Sequence, residues 1–127
     1  ALSDLLSPLA AAGLTTELEV APDVARRPGA HDALIYRAAR EALRNVRDHA
    51  QATSVAVVVT RAAGGGTLLR VSDDGRGFTD ADRERREAQG HLGLRLLGDL
   101  AARAGGHLAV RSEPGHGTTI ELEVPDP

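Results

Sequence analysis

Apolar positions recur along this chain with two different periods, and each switch between them marks a new element. Leu2, Leu5, Leu6, Leu9 and Leu14 fall near helical spacing, with Gly13 as a stop and Pro8 as an interruption. Residues 15–21, TTELEVA, alternate as a strand does, and PDVARRPGA reads as a loop. From His31 to Ala50 the positions Leu34, Ile35, Ala38, Ala42, Leu43 and Val46 keep helical period, which predicts one long amphipathic helix. TSVAVVVTR, 53–61, is an almost continuous apolar strand of the kind expected to be covered on both faces. AGGG, 63–66, turns the chain into a second strand, TLLRVSD, and the two are predicted to form a hairpin.

Residues 74–92 are rich in glycine and charge and predict a long loop with one short helix, for which TDAD, 79–82, is the capping signal. A second amphipathic helix is predicted over 93–104, stopped by Gly105 and Gly106. HLAVRSE, the turn PGHG and the alternating strand TTIELEV complete the chain. Helices interleaved with paired strands, rather than strict βαβ alternation, predict an α+β class: a two-layer sandwich in which helices cover one face of a mixed β-sheet.

Length and composition narrow the function. A chain of 127 residues suits a single domain over 1–127. Its net charge of −3 argues against binding nucleic acid through its phosphates, and Tyr36 and Phe78 alone offer no platform for stacking bases. With no cysteine, disulfides, thiol catalysis and zinc–thiolate sites are excluded. All 15 basic residues are arginine, so neither a Walker-type phosphate loop nor a Schiff base can be built. The longest apolar run, 55–59, is far shorter than the roughly 20 residues of a membrane span. The start, ALSDLLSPLAAAGL, lacks the basic region of a signal peptide, and the absence of an initial Met predicts a piece cut from a longer chain.

Four short stretches carry candidate chemistry. Within REALRNVRDHA, 40–50, Glu41, Asn45 and His49 recur every fourth residue and share a slowly drifting stripe. A carboxylate there can orient or deprotonate a nucleophile, and an amide oxygen is a hard ligand suited to Mg²⁺. The same residues also fit a solvated face on which Glu41 pairs with Arg37 or Arg44. In VSDDGRGF, 71–78, a strand ends in Asp73 and runs into Gly75 and Gly77. The carboxylate can accept from an exocyclic amine such as adenine's, but Asp-Gly is also a common turn. GHLGL, 90–94, brings Gly90, His91, Leu92, Gly93 and Leu94 to a helix start, where backbone N–H groups favour anions. PGHGTT, 114–119, places the Thr118 hydroxyl beside a turn, as a phosphate donor or as an ordinary strand start.

Taken in this order, the four stretches resemble the N, G1 and G2 boxes and the closing GT of the Bergerat-fold (GHKL) ATPases, over nearly the whole chain. IYRAAREALRNVRDHA, GLRLLGDLAARAGG and SEPGHGTTIELEVP are most similar to the ATP-binding catalytic domain of bacterial two-component sensor histidine kinases, in the subfamily paired with NarL/LuxR-type regulators. The resemblance implies ATP and Mg²⁺ as ligands. Asn45 would bind the metal, Glu41 would position or deprotonate the phosphoryl acceptor, and Asp73 would select adenine. Gly75, Gly77, Gly90 and Gly93 would frame the nucleotide and hinge a lid over about 75–93, with His49, His91, Leu94 and Thr118 near the phosphates. Val46, Val71 and Leu92 would hold the adenine. The implied partners are the dimerisation and phosphoacceptor domain of the same protein and a downstream response regulator, with no nucleic acid and no membrane contact by this domain. The implied setting is the cytoplasmic part of a membrane-bound sensor.

Two features depart from the family pattern. The residue before the N-box His is usually basic, and here it is Asp48, which leaves Arg44, Arg47 or Arg95 to supply the cation. His31 lacks the surroundings of a phosphoacceptor and reads as a helix-start residue. Two other readings therefore stay open: a serine kinase of the anti-sigma-factor type, and a degenerate nucleotide-binding module that never transfers.

Overall fold

The computed structural model describes residues 2–25, 29 and 31–126. Its elements are α1 (Leu2–Ala11), β1 (Thr15–Val20), α2 (Pro22–Ala25), α3 (Asp32–Asn45), β2 (Ser54–Arg61), β3 (Thr67–Asp73), α4 (Asp80–Ala88), α5 (Gly93–Arg103), β4 (His107–Ser112) and β5 (Thr118–Val124). The five strands form one sheet in the order β1-β2-β3-β5-β4. β1 runs parallel to β2, and every other pairing is antiparallel. This is the expected α+β sandwich with a mixed sheet.

Register decides which side chains meet the helices. Val57 lies beside Val71, and Val71 beside Ile120, so the inward residues of three strands form continuous rows. Val55, Val57, Val59, Leu69, Val71, Ile120, Leu122 and Val124 are buried there against Ile35, Ala38, Ala39, Ala42 and Leu43 of α3 and Leu97 and Ala101 of α5. The alanines of α3 let the helix approach the sheet closely, and α1 adds Leu6 and Leu9.

The expectation that β2 is covered on both faces is corrected. Its burial alternates, with Val55, Val57 and Val59 inward and Ala56, Val58 and Thr60 only half-buried. The other face of the sheet is an open surface bearing Arg70 and Arg111, both paired with Glu121 at 3.1 and 3.5 Å. Small or β-branched residues on an open face leave no polar mark in the sequence, so the apolar run misleads.

Three local details also differ from the sequence pattern. The loop expected after β1 begins with the short helix α2, and residues 26–28 and 30 lie outside the described part. α1 continues through Pro8 at the loss of one ladder hydrogen bond. The long helix stays α only to Asn45 and then widens into a π turn, Val46–Ala50, which ends at Gln51 in a left-handed conformation (φ 52°). The short helix in the glycine-rich region forms as expected. Thr79 accepts from the Asp82 N–H and its own N–H donates to Asp82, a reciprocal cap.

Candidate functional site

The chemistry-bearing residues converge where β3 ends, β5 begins, α3 finishes and α5 starts. Glycine makes this closure possible. A Cβ on Gly77 (φ 67°) would lie 2.0 Å from the Glu113 carbonyl oxygen, and one on Gly117 (φ 76°) would lie 2.1 Å from that of Asp73. Only glycine permits both the conformation and the contact. The loop after β3 is thereby locked onto the β4–β5 turn, with Gly115 N–H donating to the Arg76 carbonyl (2.7 Å) and Phe78 N–H to Ser112 Oγ (2.8 Å).

Two adjoining cavities result. The narrow one, about 20 Å³, is a slot between α3 and the sheet, lined by Ala42, Asn45, Val46, Val71, Asp73 and Ile120, with Gly77, Phe78, Arg86 and Thr118 completing the wall. The wide one, about 270 Å³, opens beside it among Glu41, Asn45, Phe78, Arg86, Gly90 and Leu94, with Arg44, Asp48, Arg83, Glu87, His91, Leu92 and Gly93 around it. One is nearly apolar with a single carboxylate, and the other is crowded with charge.

Asp73 is the polar centre of the slot. Burial pushes its carboxyl above the ordinary carboxylate range, opposed by backbone N–H donors at Gly75 and Thr118 and reinforced by the nearby Asp74 charge. The Gly75 N–H reaches Asp73 Oδ1 at 2.8 Å. Gly75 thus holds the aspartate in place and does not itself line either cavity. Thr118 is in the slot rather than the wide cavity, and its hydroxyl shares a 2.8 Å hydrogen bond with Ser112. Val46 and Val71 line the slot as apolar walls, whereas Leu92 is at the wide cavity and 40% exposed.

Glu41 is half-buried in the wide cavity, and no ion pair holds it among the described residues; Arg44 pairs instead with Asp48. The Glu41 carboxylate sits against Gly93, where an added Cβ would come within 2.0 Å of Oε1. Asn45 belongs to both cavities. Its Nδ2 is buried without a hydrogen-bond partner among the described residues, a state that costs about 1–3 kcal/mol unless a ligand relieves it. Past Asn45 the π turn breaks the every-fourth-residue stripe, and the His49 side chain lies outside the described part.

Asp48 lines the wide cavity and draws in two of the arginines expected to replace a basic residue there. Arg47 is 3.2 Å and Arg44 4.0 Å from its carboxylate. Arg95 is not among the residues around either cavity.

Several contributors were not singled out from sequence. Ala42 and Ile120 follow from periodicity, being the inward positions nearest Asn45 and Thr118. Phe78 and Arg86 depend on how α4 folds back. Asp74 is a structural clamp: Oδ1 accepts from the N–H groups of Thr53 (2.8 Å) and Ser54 (2.9 Å), and the Thr53 hydroxyl donates to Oδ2. These donors hold the Asp74 carboxyl well below its ordinary value of 3.8. Because the folded value lies below the unfolded one, the stabilisation is complete above about pH 4 and fades as pH falls. Acid unfolding of wild type and Asp74→Asn is therefore expected to show a stability difference at neutral pH that shrinks below pH 4. Parallel curves would remove the clamp.

The slot, apolar but for one carboxylate, thus joins a charged mouth at the start of α5. The chain belongs to the histidine kinase-, DNA gyrase B- and HSP90-like ATPase family, whose model matches residues 30–127. Among its relatives are sensor histidine kinases. It is 31% identical over 91 residues to the histidine-protein kinase/phosphatase DegS of Brevibacillus brevis, covering 72% of this chain and 22% of that protein. It is 34% identical over 83 residues to the nitrate/nitrite sensor NarQ of Escherichia coli, covering 65% of this chain and 14% of that one. The fold matches full-length ShkA in complex with AMPPNP with a TM-score of 0.79 at 24% identity, covering 98% of this chain and 28% of that one. The NarQ match is consistent with the subfamily resemblance given above. The chain spans less than a quarter of the length of either DegS or NarQ.

Proposed function

We propose that this chain is the ATP-binding catalytic domain of a two-component sensor histidine kinase, acting in the cytoplasm where ATP is available. In this reading adenine enters the slot and its exocyclic amine donates to Asp73, while the triphosphate lies in the wide cavity. The γ-phosphoryl leaves the bridging oxygen of ADP and bonds to an imidazole nitrogen of a histidine on the dimerisation domain of the same protein, from which it passes to a response regulator. Glu41 orients the acceptor and takes its proton, and the remainder of the catalysis is positioning and electrostatic.

The donor set fits Mg²⁺. Among the described residues no group of three or more His, Asp or Glu side chains converges to cage a metal. One amide oxygen from Asn45 suits an ion that keeps waters and shares phosphate oxygens. When bound, Mg²⁺ would neutralise phosphate charge there.

The observation that carries the reading is Asp73: a carboxylate whose pKa is raised by burial, at the end of an apolar slot that opens beside Glu41 and Asn45. Thermal unfolding with Mg-ATP tests it. Ligand at a hundred times its dissociation constant is expected to stabilise the protein by about 2.7 kcal/mol, and no shift at millimolar ATP would sink the proposal. One observation favours a second reading. Asp48 adds negative charge to the wide cavity and holds Arg44 and Arg47, as a binding module without transfer would tolerate. Phosphorylation of the acceptor domain of the same protein in the presence of ATP rules that module out.

A further inference from the structure

The narrow slot holds about 20 Å³, room for about one water molecule and far less than a purine. A nucleotide can enter only if a wall moves. Ala42, Val46, Val71 and Ile120 are core residues, each no more than 4% exposed, and they cannot yield without opening the sheet from α3. The wall that can move is Phe78 with Arg86. The Arg86 guanidinium stands over the Phe78 ring, 5.0 Å from its centroid, and both side chains line the slot and the wide cavity together. Such a cation–π contact is weak enough for a ligand to replace.

Charge gives Arg86 a second place to go. Among the described residues, three arginines surround the wide cavity. Arg44 pairs with Asp48 at 4.0 Å and Arg83 with Glu87 at 3.7 Å, whereas Arg86 makes no ion pair among the described residues. It is carried on α4, whose own cap folds it as a unit and whose flanking glycines, at positions 77 and 90, both have positive φ.

We propose that Arg86 is a specificity-determining residue with two seats. Stacked on Phe78 it shuts the purine slot, and with a nucleoside triphosphate bound it turns into the wide cavity and supplies the phosphate cation that Asp48 denies to α3. A planar fork of N–H donors suits paired phosphate oxygens, so the same side chain excludes a bare nucleoside and rewards a phosphorylated one. This rests on the nucleotide reading above.

The test compares dissociation constants for adenosine and Mg-ATP, by calorimetry, in wild type and Arg86→Ala. Loss of the gate is expected to tighten adenosine about two- to fivefold. Loss of the cation is expected to weaken ATP about ten- to a hundredfold. Opposite shifts support the proposal, and any result without both overturns it. Arg86→Lys guards against an unfolded α4: it keeps the charge but loses the flat stacking surface and the fork, so adenosine tightens as in Arg86→Ala while ATP weakens less than in Arg86→Ala. A wild type that binds neither ligand overturns the nucleotide reading itself. A wild type that binds ATP through Asp73, with both ligands indifferent to Arg86, overturns only the gate.

Discussion

Asp73→Asn is expected to weaken ATP binding by about a hundredfold, the upper range for losing a hydrogen bond to a charged group. The two side chains have the same size and shape, so the slot keeps its form. What changes is the acceptor. The carboxylate offers only lone pairs, one of which already takes the Gly75 N–H, while an asparagine amide turns donors toward the adenine amine. Guanine presents an acceptor at the corresponding position, so the ratio of GTP to ATP affinity is expected to rise in the variant. Calorimetry with both nucleotides checks this, and an unchanged ATP dissociation constant would place the base elsewhere.

The raised pKa of Asp73 adds a sign that a merely structural aspartate would not show. Burial disfavours its ionised form, so above the unfolded value of 3.8 the charge works against folding. The unliganded Asn variant is therefore expected to be at least as stable as wild type at neutral pH, even as it loses the ligand. The adenine amine needs the ionised acceptor, so wild-type affinity is expected to hold at neutral pH and fall as pH drops through the raised pKa.

The second large effect belongs to Glu41. Glu41→Gln is expected to lower phosphoryl transfer to the acceptor histidine by about 10²–10⁴-fold, the range for removing a positioned general base. ATP affinity should change little. Among the described residues the carboxylate has no ion pair to lose, and its amide is isosteric, so the contact with Gly93 survives. Transfer assayed with the acceptor domain of the same protein, beside ATP binding measured separately, distinguishes the outcomes. A wild-type transfer rate would return Glu41 to an ordinary polar helix face, and a parallel loss of binding would make it a ligand contact only.

Element type was legible in the sequence wherever one side-chain period ran long enough. The 3.6-residue recurrence of Ile35, Ala38, Ala42 and Val46 and the alternation of Thr118, Ile120, Leu122 and Val124 each declare an inward face. Thr79 and Asp82 declare a helix start. These signals survive because they are local: a residue's neighbours in the chain are its neighbours in the helix or strand. The motifs Glu41–Asn45, Asp73–Gly75–Gly77 and Gly90–Gly93 were visible for the same reason, although each was ordinary alone.

The sequence by itself determined the strands, the longer helices, their order and the residue types available for chemistry, but neither α2 nor the π turn after Asn45. Only the tertiary structure decided that β1 lies parallel to β2, that β5 inserts between β3 and β4, and that β2 buries one face. Strand pairing joins residues far apart in the chain, and no local period records the partner. The site followed the same rule. The Gly117 backbone against Asp73, Glu41 against Gly93, the clamp of Asp74 on Thr53 and the stacking of Arg86 on Phe78 are contacts between elements, made only when the sheet and helices close around one core.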